Sequence, residues 1–502
     1  MSKNSSNVSH GHRLDKALFA AGIQCAKRLY LEYHDPKAAP APSESRQSFA
    51  EMGQRLAEMA REGFPKGDTV EESDHAKATA QTQALLAGKG DSAIFNAAFE
   101  RDGVEIRCDI VLPNRDGESL DIFEVKAGTK VKPRHVMDVA LQMWVIDGTD
   151  YKVNRASLLH LDAEFRHDGA KSFPVHKLFK NVDVTKKARK RKRRIADYIE
   201  NFHHILDDQT TLELPTGTWC INPIPCNHLP NCRKSAPEHP LLELPDLTPA
   251  QESELHQVGI ESIKQIDAGM ESLTPMQRRV LGGLAKDALV TEPIIREEFE
   301  TIVLPVCFVS AGLALQVLPR FAHSRPWQHL PFQWNAQIIH EDGKVEQRSY
   351  LADGSGDPRT EFVSSLALCI EDVGTVVTWS RRLEPTLRQI MEDSPELKQD
   401  VRGLLQMDPI ALDLLVREGV YHPNMHGSFE IGSVRAALMN EDNPGSGAGR
   451  IVDDDEARSA FERLLNPRTR STTRDRLRGE LEEFGARNCS WMVDIYKVLG
   501  AS

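Results

Sequence analysis

The chain holds eight cysteines among its 502 residues. That is too few for a disulfide scaffold, so clustered cysteines read as metal ligands instead. No stretch of 18 apolar residues occurs, which excludes a membrane-spanning helix. The opening residues, MSKNSSNVSHGHRLDKALF, lack the apolar core of a signal peptide, and a cytoplasmic protein is the expectation. Internal repeats are absent too. What is present is a chain 40% hydrophobic and too long for one core, so two or three domains are expected. The net charge of -12 is uneven: residues 1–250 carry 35 Lys+Arg and 35 Asp+Glu, residues 251–502 carry 27 and 39. A polyanion is therefore expected on the first half. AAPAPSES (38–45), the basic run at 186–194 and NPGSGAGR (443–450) read as loops or exposed surface.

VEIRCDIVLP (104–113) is β-branched and ends at Pro113, so it reads as a strand. NRDGES (114–119) is a turn, and SLDIFEVKAGT is the returning strand. Strand alternation puts Ile122, Glu124 and Lys126 on one face and Phe123 and Val125 on the other. HVMDVALQMWVID (135–147) has helical spacing, with Val136, Val139, Ala140, Met143 and Trp144 as its apolar face. Burying Glu124 or Lys126 alone is costly. Asp109 and Glu124 on adjacent strands can hold Mg²⁺ or Mn²⁺, which offsets that cost. Lys126 beside the ion can activate an attacking water, and Gln142 can position the water or a phosphate. The bland reading is a buried structural Glu–Lys pair.

TWCINPIPCNHLPNCRK (218–234) spaces Cys220, Cys226 and Cys232 as C-x5-C-x5-C. Cys25, far upstream in LFAAGIQCAKRLYLEY, supplies a fourth ligand. Four thiolates suit a [4Fe–4S] cluster or Zn²⁺, though the short C-x2-C knuckles common at zinc sites are missing. Cys108, Cys307, Cys369 and Cys489 lie in apolar segments and read as small buried hydrophobes. In TKKARKRKRR (185–194), eight of the nine residues from Lys186 to Arg194 are basic: Lys186, Lys187, Arg189, Lys190, Arg191, Lys192, Arg193 and Arg194. The run is either a solvated helix face or a phosphate-tracking stripe. With no base-reading motif in view, binding is expected to be weakly sequence-specific.

Asp109, the Glu124-Val125-Lys126 triplet and the Gln142 helix resemble the D…(D/E)xK nuclease superfamily, and within it the RecB-like branch. That branch places an aromatic residue four positions after the Gln, where this chain has Ile146. Some relatives add an upstream helical acid, for which Glu51 and Glu58 are the candidates. Asn96 stands where the closest relatives carry Glu. One Cys before the core and three after it resemble the iron–sulfur nucleases of the AddB type and the CRISPR adaptation nucleases. The spacing, with Pro223 between Cys220 and Cys226, fits a bacterial family of unassigned function with a C-x-x-P-x-x-C signature. The resemblance implies a structural [4Fe–4S] staple, with Zn²⁺ as the alternative.

The second half of that family resembles a DnaQ-type, ribonuclease H-like exonuclease. The matching markers are Pro331-Phe332-Gln333, Asp357-Pro358-Arg359, Asp413-Leu414 and Gly427-Ser428. The catalytic carboxylates do not follow. The expected Asp-x-Glu is Ser310-Ala311-Gly312, and the final Asp falls on Asn488; only Glu384 and Asp413 survive. Two carboxylates do not hold two divalent ions, so an inactive exonuclease-like domain is expected. The full expectation is an α/β protein. It has a RecB-like, restriction-endonuclease-type core with an iron–sulfur staple (1–240), a helical connector (241–300) and a degenerate exonuclease domain (301–502). Its expected function is a metal-dependent DNase in DNA processing or genome defence, acting on single-stranded or end-bearing DNA, with a protein partner through residues 301–502 and no membrane contact. The rival expectation is a catalytically inactive nucleic-acid-binding or assembly subunit.

Overall fold

The computed structural model describes residues 11–42, 44–64, 66–88, 92–441 and 451–500. The glycine-rich loop 443–450 and Ser43 of the Ala/Pro stretch lie outside them. The fold is mixed α/β. It divides into two compact units: the chain up to Ser235 with Arg325–Trp327, and Ala236–Ser324 with Gln328–Ser502.

The first unit begins with the helices α1 (Lys16–Gln24), α2 (Ala26–His34) and α3 (Glu44–Arg61). Asp15 starts α1 by accepting the Leu18 N–H at 2.7 Å. Then come β1 (Gly67–Thr69), α4 (His75–Ala87), the meander β2 (Ala93–Arg101), β3 (Val104–Pro113) and β4 (Ser119–Lys126), and α5 (Pro133–Ile146). β5 (Lys152–Leu161), α6 (Val175–Leu178), β6 (Phe179–Asp183), α7 (Thr185–Lys192), α8 (Ile195–Asp207) and α9 (Leu229–Arg233) complete it. The six strands lie in chain order in one sheet. β1/β2 and β4/β5 are parallel and the other pairs antiparallel. The parallel pair β4/β5 needs a crossover, and α5 supplies it, with Pro133 in its first turn. Ile122 of β4 joins Phe19, Val139, Met143 and Phe202 in the core beneath α1, α5 and α8. Phe123, on the opposite face, meets Phe64 edge-on at 5.0 Å.

The second unit starts with α10 (Pro249–Gln257) and α11 (Pro275–Lys286), both opened by Thr–Gln capping boxes. β7 (Val290–Thr291), α12 (Pro293–Phe299), β8 (Val306–Gln316), β9 (Gln328–Ile339), β10 (Val345–Leu351) and α13 (Arg359–Cys369) follow. Next are β11 (Thr375–Thr378), α14 (Leu383–Asp393), α15 (Lys398–Gln406), β12 (Ile410–Ala411), α16 (Leu412–Gly419) and β13 (Val420–Tyr421). The helices α17 (Ile431–Met439), α18 (Asp454–Leu464) and α19 (Ser471–Gly500) end the chain. The central sheet runs β10-β9-β8-β11-β12. Its first three strands are antiparallel, while β11 is parallel to both β8 and β12. β7 and β13 make a separate antiparallel pair.

Residues 241–300, expected as a connector, are part of this unit's interior. Leu241, Leu255, Ile263, Val280 and Ile295 share one core with Phe308, Val377 and Val493. Cys108, Cys307, Cys369 and Cys489 are buried as expected. No helix among the described residues is long and apolar enough to cross a membrane.

Candidate active site

The last pair at the open end of the β3–β4 ladder is Ile110 with Phe123. Asp109 and Glu124 flank it, so both carboxylates leave the sheet where the strands part. Glu124 is 3% exposed and is the hub. Its Oε1 accepts Lys16 Nζ at 2.7 Å and Lys126 Nζ at 2.9 Å, and its Oε2 accepts Gln142 Nε2 at 2.6 Å. Lys126 also pairs with Asp138 at 2.8 Å. Asp109 Oδ2 accepts the backbone N–H of Val125 at 2.7 Å. Gln142 is fully buried, and its Oε1 has no hydrogen-bond partner. The four residues expected from sequence thus meet, and two unexpected ones, Lys16 and Asp138, join them.

Charge decides which groups can move a proton. Burial works against the Glu124 charge, but Lys126 and Lys16 hold its carboxyl below the usual range. Burial opposes the Lys126 charge as well, yet Glu124 and Asp138 raise its pKa above the ordinary lysine value. Lys126 is therefore held in its charged form by these two carboxylates, and that charge suits orienting a water and stabilising negative charge. Burial, and then the Glu124 charge, push Asp109 up to about 6. Burial, followed by Lys126, Arg134 and Lys132, pushes His135 down to about 4, so this ring beside Lys126 is neutral at pH 7.

Glu51 and Glu58 on α3 are exposed, and among the described residues no hydrogen bond or ion pair joins either to this cluster. Asn96 is opposite Asp109 in the β2–β3 register, between the pairs Phe95–Ile110 and Ala97–Cys108. Its backbone is left-handed (φ 57°), and its amide donates to Val70 O at 2.9 Å. It therefore caps β1.

The basic run divides by helical phase. Lys187, Lys190, Arg191 and Arg194, one face across the α7–α8 junction, line a groove of about 480 Å³ with Lys132, Met137 and Tyr198. Arg194 lies over the Tyr198 ring at 5.1 Å. Arg189 instead donates to Asn154 O at 2.8 Å, and Lys192 is paired with Asp147. Lys186 and Arg193 are exposed and do not line the groove.

Cys25 sits between α1 and α2. Gln24 beside it donates to Trp219 O and Ile224 O, both at 2.7 Å, which ties that corner to the later cysteine loop. The four thiols feel one another. Burial first, then Cys25, Cys226 and Cys232, push Cys220 up to about 11. Burial also raises Cys25, with Cys226 and Cys232 adding to it.

In the second unit a groove of about 780 Å³ is lined by Ser310, Ser380, Asp413, Asp453 and Asn488, among others. Ser310 and Asn488 occupy positions where the exonuclease resemblance expects carboxylates. Residues 314–430 match a family model described as a domain of unknown function (DUF2779). No curated protein matches the chain. The matched segment runs from within β8 to the loop after β13, so the first unit lies outside it apart from Arg325–Trp327. Glu384 lines a neighbouring cavity and is paired with Arg388 at 2.7 Å. Among the described residues, no three carboxylates bring ligand atoms within 4.8 Å of one another.

Proposed function

We propose that the protein is a metal-dependent DNA nuclease whose reaction takes place at Asp109, Glu124, Lys126 and Gln142. The observation that carries this reading is the convergence of two strand-end carboxylates with a protonated lysine and a buried amide that has an unused acceptor. Both carboxylates offer hard oxygens, which fits Mg²⁺ or Mn²⁺. When bound, such an ion lowers the pKa of a coordinated water and offsets charge on a phosphate. Lys126 then faces the phosphate as a cation, and Gln142 Oε1 would accept a hydrogen bond from the attacking water and so aim it. The groove of Lys132, Lys187, Lys190, Arg191 and Arg194 begins at the first turn of α5, the helix that also carries Asp138 and Gln142. A strand of phosphates held there leads to the cluster, and Tyr198 offers a stacking face for a base.

Two features of topology support the family readings. The order α4-β2-β3-β4-α5-β5 is compatible with the RecB-like, restriction-endonuclease-type core that the resemblance implies. The second unit, with its mixed sheet β10-β9-β8-β11-β12, is read as the ribonuclease H-like domain that the resemblance implies, inactive and available to a protein or nucleic-acid partner. The four cysteines are proposed to hold a [4Fe–4S] cluster. Zinc thiolates lie about 2.3 Å from their ion, and no three of these thiols approach within 4.8 Å of one another among the described residues.

The second reading, a binding subunit without catalysis, draws on Glu124 being already neutralised by two lysines. Cleavage of single-stranded DNA with Mn²⁺ separates the two. The nuclease reading expects activity in the wild type and its loss in Glu124→Gln and Lys126→Ala. Equal inertness of all three would leave only the binding role.

A further inference from the structure

We propose that His239, Glu243 and His426 form a site for one divalent transition-metal ion of the zinc class, in the second unit and independent of the nuclease reading. His239 Nδ1 is 3.2 Å and His426 Nδ1 is 3.3 Å from the same carboxylate oxygen, Glu243 Oε2. One ligand atom from each residue lies within 4.8 Å of the other two, and no other trio among the described residues does this. Two imidazole nitrogens and a carboxylate oxygen are the donor set that zinc takes from protein, with water completing the tetrahedron. Mg²⁺ and Ca²⁺ prefer all-oxygen sets.

The surroundings fit a ligand set better than a pair of hydrogen bonds. The two rings stack at 5.3 Å with planes 19° apart, an arrangement that aims both Nδ1 atoms at one point. His239 Nε2 faces Glu238 at 3.8 Å, and Glu238 is held by Lys264 at 2.9 Å. A carboxylate behind a histidine is the outer partner that orients such ligands. His239 and His426 both take left-handed backbone, φ 50° and 47°, a conformation that non-glycine residues adopt uncommonly. Gly427 lets the two segments meet: a Cβ there would come within 2.0 Å of Glu243 O. Glu243 and His426 are 183 residues apart, so an ion here clips the start of the second unit to the loop after β13. His426 is exposed, which leaves the ion open to water on that side.

The test uses the full chain stripped of metal and titrated with Co²⁺, followed by its visible ligand-field bands, and with Zn²⁺, followed by thermal unfolding. Relative to His426→Ala, the wild type is expected to take one further equivalent of Co²⁺, and the difference spectrum to show bands of a nitrogen–oxygen site, free of thiolate charge transfer. His426→Ala and Glu243→Gln should lose that equivalent and the zinc-induced rise in Tm. Glu238→Gln should keep the stoichiometry with roughly tenfold weaker binding. His426 is exposed, so its loss is not expected to disturb folding, and Glu124→Gln should leave the site intact even if the nuclease reading fails. No such equivalent in the wild type, or identical titrations and spectra in wild type, His426→Ala and Glu243→Gln, would overturn the proposal.

Discussion

The Asp109 carboxylate holds the backbone N–H of Val125, the residue that follows Glu124, at 2.7 Å. One strand-end acid thereby fixes the backbone that carries the other, and its second oxygen stays available. Replacing Asp109 should therefore do two things: remove a ligand and loosen β4 beside Glu124. Asp109→Asn is expected to lower Mn²⁺ affinity at least tenfold, measured by calorimetry, with little change in the fold.

The same carboxyl sets a pH window. Asp109 is raised from 3.8 to about 6, so the folded state holds its proton more tightly than the unfolded chain. Its contribution to stability is fully present below about pH 4 and is lost as pH rises through about 6. Cation binding has the opposite sign, because the ion needs the ionised form. Mn²⁺ affinity should fall about tenfold per pH unit below 6, and Asp109→Asn should flatten that profile.

Lys16 competes with a cation for Glu124. Lys16→Ala should tighten Mn²⁺ binding by roughly tenfold, since a tenfold change needs only about 1.4 kcal/mol. It should also reduce the stability of the metal-free protein by about 1–3 kcal/mol, the cost of leaving a buried acceptor short of a partner. Lys126→Ala, by contrast, should cut turnover by about 100-fold or more. Calorimetry and denaturant titration check the first two effects, and single-turnover cleavage the third.

The division of the basic run predicts unequal effects on DNA binding. Lys187→Ala, Lys190→Ala and Arg194→Ala combined should lower the slope of log affinity against log salt by about two to three. Arg189→Ala should leave that slope unchanged, because its guanidinium serves Asn154 O. Equal slopes in both variants would remove the groove from the binding path.

The thiols make a prediction of colour. Anaerobically purified protein should be brown and contain iron, and Cys25→Ser or Cys226→Ser should lose both, while Cys108→Ala keeps them. Colourless protein with one zinc per chain would replace the cluster with the single-ion alternative.

Much of the first site was legible because its signals are local. Period-two alternation and the Asp116-Gly117 turn set Asp109, Glu124 and Lys126, and helical spacing brought Gln142 over them. Asp138 was within reach of the same logic, since it precedes Gln142 by one turn of α5. Lys16 was not: it is 108 residues from Glu124 and belongs to a short helix with no distinguishing pattern. The basic run was visible as composition, but only the 3.6-residue phase separates Lys187, Lys190 and Arg194 from Arg189. In the second unit β12 has two residues and β11 four, too few for alternation to show, so the sheet order had no signature. The His239–Glu243–His426 trio joins segments 183 residues apart and leaves no local trace.

Helix α1 has a further consequence. Lys16 opens it and Cys25 follows its last residue, so a rod of about 13 Å links the buried carboxylate to the thiol corner. Oxidants reaching the sulfur atoms would loosen the anchorage of that rod and, through it, the grip of Lys16 on Glu124. On the nuclease reading, air exposure is thus expected to lower Mn²⁺-dependent cleavage before the sheet unfolds, as cleavage and circular dichroism followed together would show.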